Sequence, residues 1–160
     1  MEELFVYAVF LINGFDVEDE YNVLLDKLFM NDPENKDYLE LEMFGGNISE
    51  SIVYIFTHSD TESFDIENFG KLFVDLLRRF YKSTINEYCN CRNKSEQFAL
   101  EEFARRSNDI SKTLPQHFQQ KDPFYIMLYA DEPLSWGILS SPKNYIIEYL
   151  TTINNRELYL

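Results

Sequence analysis

The chain has 160 residues, of which 45% are hydrophobic and 16% aromatic, and its formal net charge at pH 7 is -14. A chain of this length buries roughly 70% of its unfolded surface, enough for one hydrophobic core, so we expect a single compact domain over residues 1–160. The many Phe and Tyr residues exclude a disordered acidic tail, because disordered segments are poor in aromatic side chains.

The negative charge is concentrated in the first half of the chain. Residues 1–70 contain 17 Asp and Glu against Lys27 and Lys36, a balance of -15, whereas residues 71–160 contain 11 Asp and Glu against 12 Lys and Arg. Such a field repels nucleic-acid phosphates and anionic lipid surfaces, and it steers a basic protein toward the chain. We therefore expect a basic protein partner and no direct binding to nucleic acid or membrane. Acidity that serves solubility alone is the alternative.

The N-terminus favours a cytoplasmic location. Glu2 and Glu3 precede the apolar run from Leu4 to Ile12, where a secretory signal peptide needs cations. The run is also much shorter than the roughly 20 residues that span a bilayer. The two cysteines, Cys89 and Cys91, cannot build a disulfide framework, which is typical of a reducing compartment.

The first predicted elements are a strand and a helix. The run from Leu4 to Ile12 is short and rich in Phe, Val and Ile, which predicts a central strand covered on both faces. Asp16 then suits a helix N-cap, and apolar residues recur at steps of three and four as far as about Met30. The sequence NDPENKD at residues 31–37 predicts a loop.

A hairpin is predicted next. Residues 38–44 alternate between polar and apolar side chains, which predicts a half-exposed strand with an acidic outer face. The sequence GGN turns the chain at residues 45–47, and residues 48–57 read as the second strand of an antiparallel pair.

The second half is predicted to be mainly helical. The expected elements are a helix over residues 64–82, a helix capped by Ser95 and ending near Ser111, a strand over residues 124–129, a short strand over residues 136–139, a helix that begins at Ser141-Pro142 and ends near Ile153, and an edge strand in the tail RELYL at residues 156–160. Trp136 is expected to close the core, with an exposed interface anchor as the alternative. The fold class that follows is α+β, a mixed and mainly antiparallel sheet of four to six strands with three or four helices mainly on one face.

The sequence offers no convincing metal, cofactor or catalytic motif. Cys89 and Cys91 form one C-x-C pair, with His58 and His117 as the only histidines, and a structural zinc site needs two closely spaced ligand pairs. The five glycines are too scattered to cradle phosphates. The triplet His58-Ser59-Asp60 carries reactive groups, but no nucleophile elbow accompanies it. We therefore predict no cofactor, no metal and no catalytic residue.

The candidate partner-binding surface is an acidic face on the first helix, the following loop and the outer side of the first hairpin strand. Its residues are Glu18, Asp19, Glu20, Asp32, Glu34, Asp37, Tyr38, Glu40 and Glu42. Carboxylates with aromatic anchors can complement a basic groove on another protein.

A binding inhibitor that is not an enzyme is the predicted function. The first form is a bacterial immunity protein that covers the active-site groove of a basic nuclease-type toxin. The second is a phage-encoded DNA mimic that inhibits a restriction or CRISPR effector. The alternative to a binding inhibitor is a small enzyme with a carboxylate and histidine site near His58. The oligomeric state is left open by the sequence.

Overall fold

The computed structural model describes residues 1–121, 124–136 and 141–157. These residues form helices and turns with no β-strand among them. The predicted mixed sheet is therefore wrong, and the fold is all-α. The chain divides into two compact units, Met1–Asp65 and Ile66–Leu160, here called the N-terminal unit and the C-terminal unit. One domain over residues 1–160 stays a prediction.

The N-terminal unit contains four α-helices and a short 3-10 turn. They are α1 (Glu2–Ile12), α2 (Glu18–Asn31), α3 (Lys36–Met43), α4 (Ile48–His58) and the 3-10 turn Thr61–Ser63. Helix α1 packs against α2 and α4, and α3 packs against the same two helices. The predicted helix from Asp16 to about Met30 corresponds to α2, although its N-cap is Val17.

Helix α1 occupies the run that predicted a central strand. Its buried residues are Leu4, Phe5, Val6, Ala8, Val9 and Phe10. A helix that is apolar on nearly all sides shows no amphipathic period, and a short run of this kind cannot be distinguished from a buried strand by pattern alone. The prediction of high burial was therefore right and the prediction of a strand was wrong.

The predicted hairpin is also a pair of helices, each begun by an asparagine. The side-chain oxygen of Asn35 accepts hydrogen bonds from the backbone nitrogens of Asp37 at 3.1 Å and Tyr38 at 3.3 Å. The side-chain oxygen of Asn47 accepts one from Glu50 at 3.4 Å. These contacts satisfy amide groups that a helix start leaves without partners, so the two caps specify where α3 and α4 begin.

Burial on α3 and α4 follows the helical period. Leu41 is the only residue of α3 that is fully buried, and Ser51 and Ile55 are the buried residues of α4, four positions apart. The alternation in residues 38–44 was misleading, because Leu39 and Met43 are 45% and 72% exposed.

The C-terminal unit is built from three long helices and several short ones. They are α5 (Ile66–Ile85), a π-helical segment (Asn86–Cys91), α6 (Glu96–Thr113), the single-turn helices α7 (Gln116–Gln119), α8 (Phe124–Met127) and α9 (Glu132–Ser135), and α10 (Pro142–Glu157). Helices α5, α6 and α10 pack against one another, and α8 packs against α6. Aromatic rings fill the core, where Phe69 stacks on Phe118 at 4.6 Å and Phe124 meets Phe73 edge-on at 5.1 Å.

The long helices of this unit confirm their predictions. Helix α5 covers most of the predicted range 64–82 and continues to Ile85. Ser95 caps α6, with its hydroxyl oxygen accepting the Phe98 amide at 3.2 Å. Ser141 and Pro142 begin α10 as expected, with the Asn144 amide 3.5 Å from the Ser141 hydroxyl.

Of the strands predicted for this unit, one is wrong and the other two lie partly outside the described residues. Residues 124–127 form helix α8, so the strand over residues 124–129 is wrong. Trp136 lies in a turn and is 67% exposed, which overturns its expected burial, while the rest of the predicted strand, residues 137–139, lies outside the described residues. In the tail, residues 156 and 157 belong to α10 and residues 158–160 lie outside the description. None of the described helices is both long and apolar enough to cross a membrane.

Replacing Asn35 by Ala tests the cap that makes α3 a helix. The variant loses two accepted amide hydrogen bonds, so we expect about 1 kcal/mol less stability and faster hydrogen exchange in α3. The control is Asn31→Ala, which changes the exposed last residue of α2. It should leave the hydrogen-exchange rates of α3 unchanged. Equal exchange in both variants would contradict the capping role.

Candidate partner-binding surface

The structure separates the predicted acidic residues into two groups. Glu18 and Asp19 are exposed, with Glu20 half-buried, in the first turn of α2. Asp32 and Glu34 are exposed in the connection that follows the same helix. At 1.5 Å per residue the 14 residues of α2 extend about 21 Å, so these two groups lie at opposite ends of the helix.

The second group continues into α3, and its charges act on the hydroxyls of Tyr38 and Tyr54. Burial raises the pKa of Tyr38, and the charges of Asp32, Asp37 and Glu3 raise it further. The charges of Asp37 and Glu40 act in the same direction on Tyr54. We call Glu3, Asp32, Asp37 and Glu40 the acidic cluster. Three of the four were predicted site residues, and Glu3, from the far N-terminus, was not.

Tyr54 connects the acidic cluster to α4. Its hydroxyl donates a hydrogen bond to Oδ1 of Asp37 at 2.9 Å, across the contact between α3 and α4. Burial, then the Asp37 hydrogen bond, and then the nearby carboxylate charges raise the pKa of Tyr54 to about 12. The hydroxyl therefore stays protonated and donating at any physiological pH.

A shallow apolar groove of about 520 Å³ includes Tyr54 among its lining residues. Its walls include Phe44, Val53, Tyr54 and His58, and Glu50 supplies a carboxylate at its edge. The Phe44 and Tyr54 rings meet in an edge-to-face arrangement with their centroids 5.7 Å apart. The His58 ring stacks on Tyr54 with a centroid distance of 4.0 Å and an angle of 14° between the rings. The N-terminal unit thus places an aromatic groove beside the acidic cluster.

Glu42 differs from the other predicted carboxylates because part of it points inward. Its Oε1 atom is buried without a hydrogen-bond partner, as is the hydroxyl of Tyr21. Burial raises the pKa of Glu42, and the carboxyl of Asp26 on α2 raises it further. Glu42 is half-buried overall, whereas Glu40 on the same helix is exposed. Glu40 is therefore better placed than Glu42 to meet a partner.

The residues around His58 form a helix end. Nδ1 of His58 lies 2.8 Å from the Thr57 hydroxyl and 3.0 Å from the carbonyl oxygen of Tyr54. None of the hydrogen bonds described for this part of the chain joins His58 to Ser59 or Asp60, and the Ser59 hydroxyl is buried without a partner. The imidazole serves the groove as an aromatic surface stacked on Tyr54.

The cysteines lie in the C-terminal unit. Cys89 and Cys91 are free thiols in the π-helical segment. Among the described residues, no group of three or more His, Cys, Asp or Glu side chains could hold a metal ion.

Sequence reasoning missed the groove because it assigned residues 48–57 to a strand. The signal that was present is the pair Asn47 and Glu50, a helix cap followed by an acid in the first turn. With that helix start, Glu50, Tyr54 and His58 fall four residues apart on one side of α4. No family model, curated protein or solved structure matches the chain. What the chain binds is therefore inferred from its own contacts and charges.

Replacing Glu42 by Gln tests the inward carboxyl. A raised pKa in the folded state means that the protonated form contributes stability in acid, and that this contribution is lost as the pH rises through the raised value. Gln has no charge to bury, so the variant should unfold at a higher temperature than the wild type at pH 7 and gain less stability on acidification to about pH 5. Glu40→Gln, at an exposed site on the same helix, is the control. If Glu40→Gln raised the unfolding temperature at pH 7 as much as Glu42→Gln does, the burial of the Glu42 carboxyl would not be the cause.

A double-mutant cycle tests the hydrogen bond between Tyr54 and Asp37. Tyr54→Phe and Asp37→Ala each remove it, so their effects on the free energy of unfolding should be coupled by about 1 kcal/mol. The same cycle with Glu34→Ala in place of Asp37→Ala should show coupling near zero, because Glu34 is exposed in the preceding connection. Urea denaturation measures both cycles, and equal coupling in the two would disprove the bond.

Proposed function

We propose that the chain is a protein-binding inhibitor whose acidic N-terminal unit covers a basic groove on another protein, with the catalytic groove of a nuclease-type toxin as the partner and immunity as the role. The supporting observation is that the charge of this unit is not neutralised by its own lysines. Residues 1–65 contain 16 Asp and Glu against Lys27 and Lys36, a balance of -14. Neither lysine forms an ion pair within the described chain.

The C-terminal unit provides the contrast. Residues 66–160 contain 12 Asp and Glu against 12 Lys and Arg. The ion pairs described for this unit include Arg105 with Glu102 at 2.5 Å, Arg106 with Glu102 at 3.1 Å and Lys143 with Glu96 at 2.7 Å. The charges of this unit balance overall and several of them pair with one another, which is the usual state of a surface that only needs to be soluble. The N-terminal unit departs from that state.

The form of the acidic surface also supports binding to a protein. The acidic cluster lies beside exposed apolar side chains, since Leu39 and Met43 on α3 and Val53 on α4 are 45%, 72% and 63% exposed. Protein interfaces combine apolar contacts that exclude water with complementary charge that orients the partner and speeds encounter. Exposed Leu39, Met43 and Val53 would supply the apolar contacts of such an interface, and the carboxylates would supply its complementary charge.

The experiment expresses the full chain with the basic proteins encoded by neighbouring genes, one at a time, and measures complex formation against salt. Between about 0.05 and 0.5 M salt the affinity should fall steeply, because the Debye length shortens and exposed charges are screened. Inhibition of nucleic-acid hydrolysis by the bound partner tests the inhibitory role. Association that ignores salt, or a partner that stays fully active in the complex, would overturn the proposal.

Charge reversal locates the binding surface. The triple variant Asp32→Lys, Glu34→Lys, Glu40→Lys should weaken the complex by about tenfold or more, mainly through slower association. The control triple Asp75→Lys, Glu132→Lys, Glu148→Lys changes the net charge equally at exposed sites of the C-terminal unit and should have much less effect. Equal losses from the two triples would show that total charge, and not this surface, governs binding.

A further inference from the structure

The groove on α4 has the composition of a pocket for a side chain that is both apolar and cationic. Phe44, Tyr54 and His58 form a connected aromatic wall, with contacts of 5.7 Å and 4.0 Å between successive rings. Val53 is 63% exposed beside it and offers an aliphatic surface. The carboxylate of Glu50, one helical turn before Tyr54, is exposed at the edge.

Charge restricts what this groove can hold. A unit with a balance of -14 repels anions, and an aromatic wall attracts cations to the face of its rings. A purely apolar ligand would make no use of the exposed carboxylate of Glu50. A side chain with a long aliphatic stem and a positive end satisfies the wall, Val53 and Glu50 together.

We propose that this groove receives an arginine side chain of the basic partner, with its stem on Val53 and its guanidinium between the aromatic wall and Glu50. The proposal rests on the proposed function, because it identifies one contact of that complex. Arginine fits better than lysine. Its planar guanidinium is weakly hydrated, stacks on aromatic rings and binds a carboxylate through two parallel hydrogen bonds, whereas the lysine ammonium is a compact and strongly hydrated charge.

The position of the groove suits an anchor. Tyr54 belongs to both features, since its ring lines the groove and its hydroxyl is held by Asp37 of the acidic cluster. The ring is therefore fixed before a ligand arrives. Interfaces commonly place a few anchoring side chains in pockets and surround them with contacts that exclude water and orient the partner. In this proposal the acidic cluster orients the basic partner, and the groove holds one of its arginine side chains.

The test needs no partner protein. The full chain, isotopically labelled, is titrated with the blocked tripeptide acetyl-Ala-Arg-Ala-amide and followed by NMR. We expect chemical-shift changes at Val53, Tyr54 and His58, with a dissociation constant on the order of millimolar for so small a ligand. The analogue in which citrulline replaces arginine keeps the shape and loses the charge, so it should bind at least several-fold more weakly. Equal binding of the two peptides would overturn the proposal.

Matched variants separate the groove from general attraction to an acidic protein. Glu50→Gln should weaken the arginine peptide several-fold, whereas Glu18→Gln, which removes the same charge at an exposed site at the start of α2, should not. Similar affinities for the two variants, or shifts centred on Tyr38 in place of the groove, would overturn the assignment. Circular dichroism confirms that both variants keep their helices.

The peptide titration and the charge-reversal experiment on the partner complex can give different outcomes, so they test the two proposals separately. If the arginine peptide binds the groove while charge reversal at Asp32, Glu34 and Glu40 leaves the partner complex unchanged, the proposed function fails and the groove is still an arginine site. If charge reversal weakens the complex while the peptide does not bind, the function stands and the groove assignment fails. In the partner complex itself, Glu50→Gln should slow association less than it speeds dissociation, because an anchoring contact forms after encounter.

Discussion

Burial of α1 is the constraint on which the N-terminal unit depends. Six of its eleven residues are buried, in a helix whose apolar side chains point in nearly every direction. Such a helix is stable in water only when other helices cover it, and here α2 and α4 pack against it. Helices α2 and α4 need apolar side chains only on the side that contacts α1. Their solvent-facing sides can therefore carry charged residues. The same packing that covers α1 thus favours charged residues on the sides of α2 and α4 that face away from it.

The all-helical fold of this unit was the part that the sequence concealed. Apolar residues on every side of α1 remove the period that distinguishes a helix from a strand. Residues 38–44 alternate by composition, yet they belong to α3 and its C-cap, and Leu41 is the buried residue of that helix. In both places the decisive information is tertiary, because which apolar side chains are covered depends on neighbouring helices. The caps Asn35 and Asn47 were the local signals that favoured helices.

Prediction succeeded where a helix is long and amphipathic. Helix α5 has 20 residues with a clear buried side, and α6 and α10 begin at the capping serines Ser95 and Ser141. The candidate site was predictable in charge but not in geometry. Composition identified the acidic first half, whereas the inward carboxyl of Glu42 and the bond from Tyr54 to Asp37 depend on how α2, α3 and α4 meet. Sequence spacing carries no information about contacts of that kind.

The N-terminal unit contains unfavourable electrostatic interactions that are largely absent from the described part of the C-terminal unit. Like charges repel within a compact body, and the partly buried carboxyl of Glu42 beside Asp26 is an unfavourable arrangement at neutral pH. In the C-terminal unit, Arg106 both pairs with Glu102 at 3.1 Å and donates to the hydroxyl of Tyr88 at 2.9 Å, so its charge is used internally. A protein can tolerate local instability where function requires it, because stability elsewhere offsets the loss. A basic partner would supply the missing counter-charge, so the binding energy of the complex would come in part from relief of a repulsion that the free protein carries.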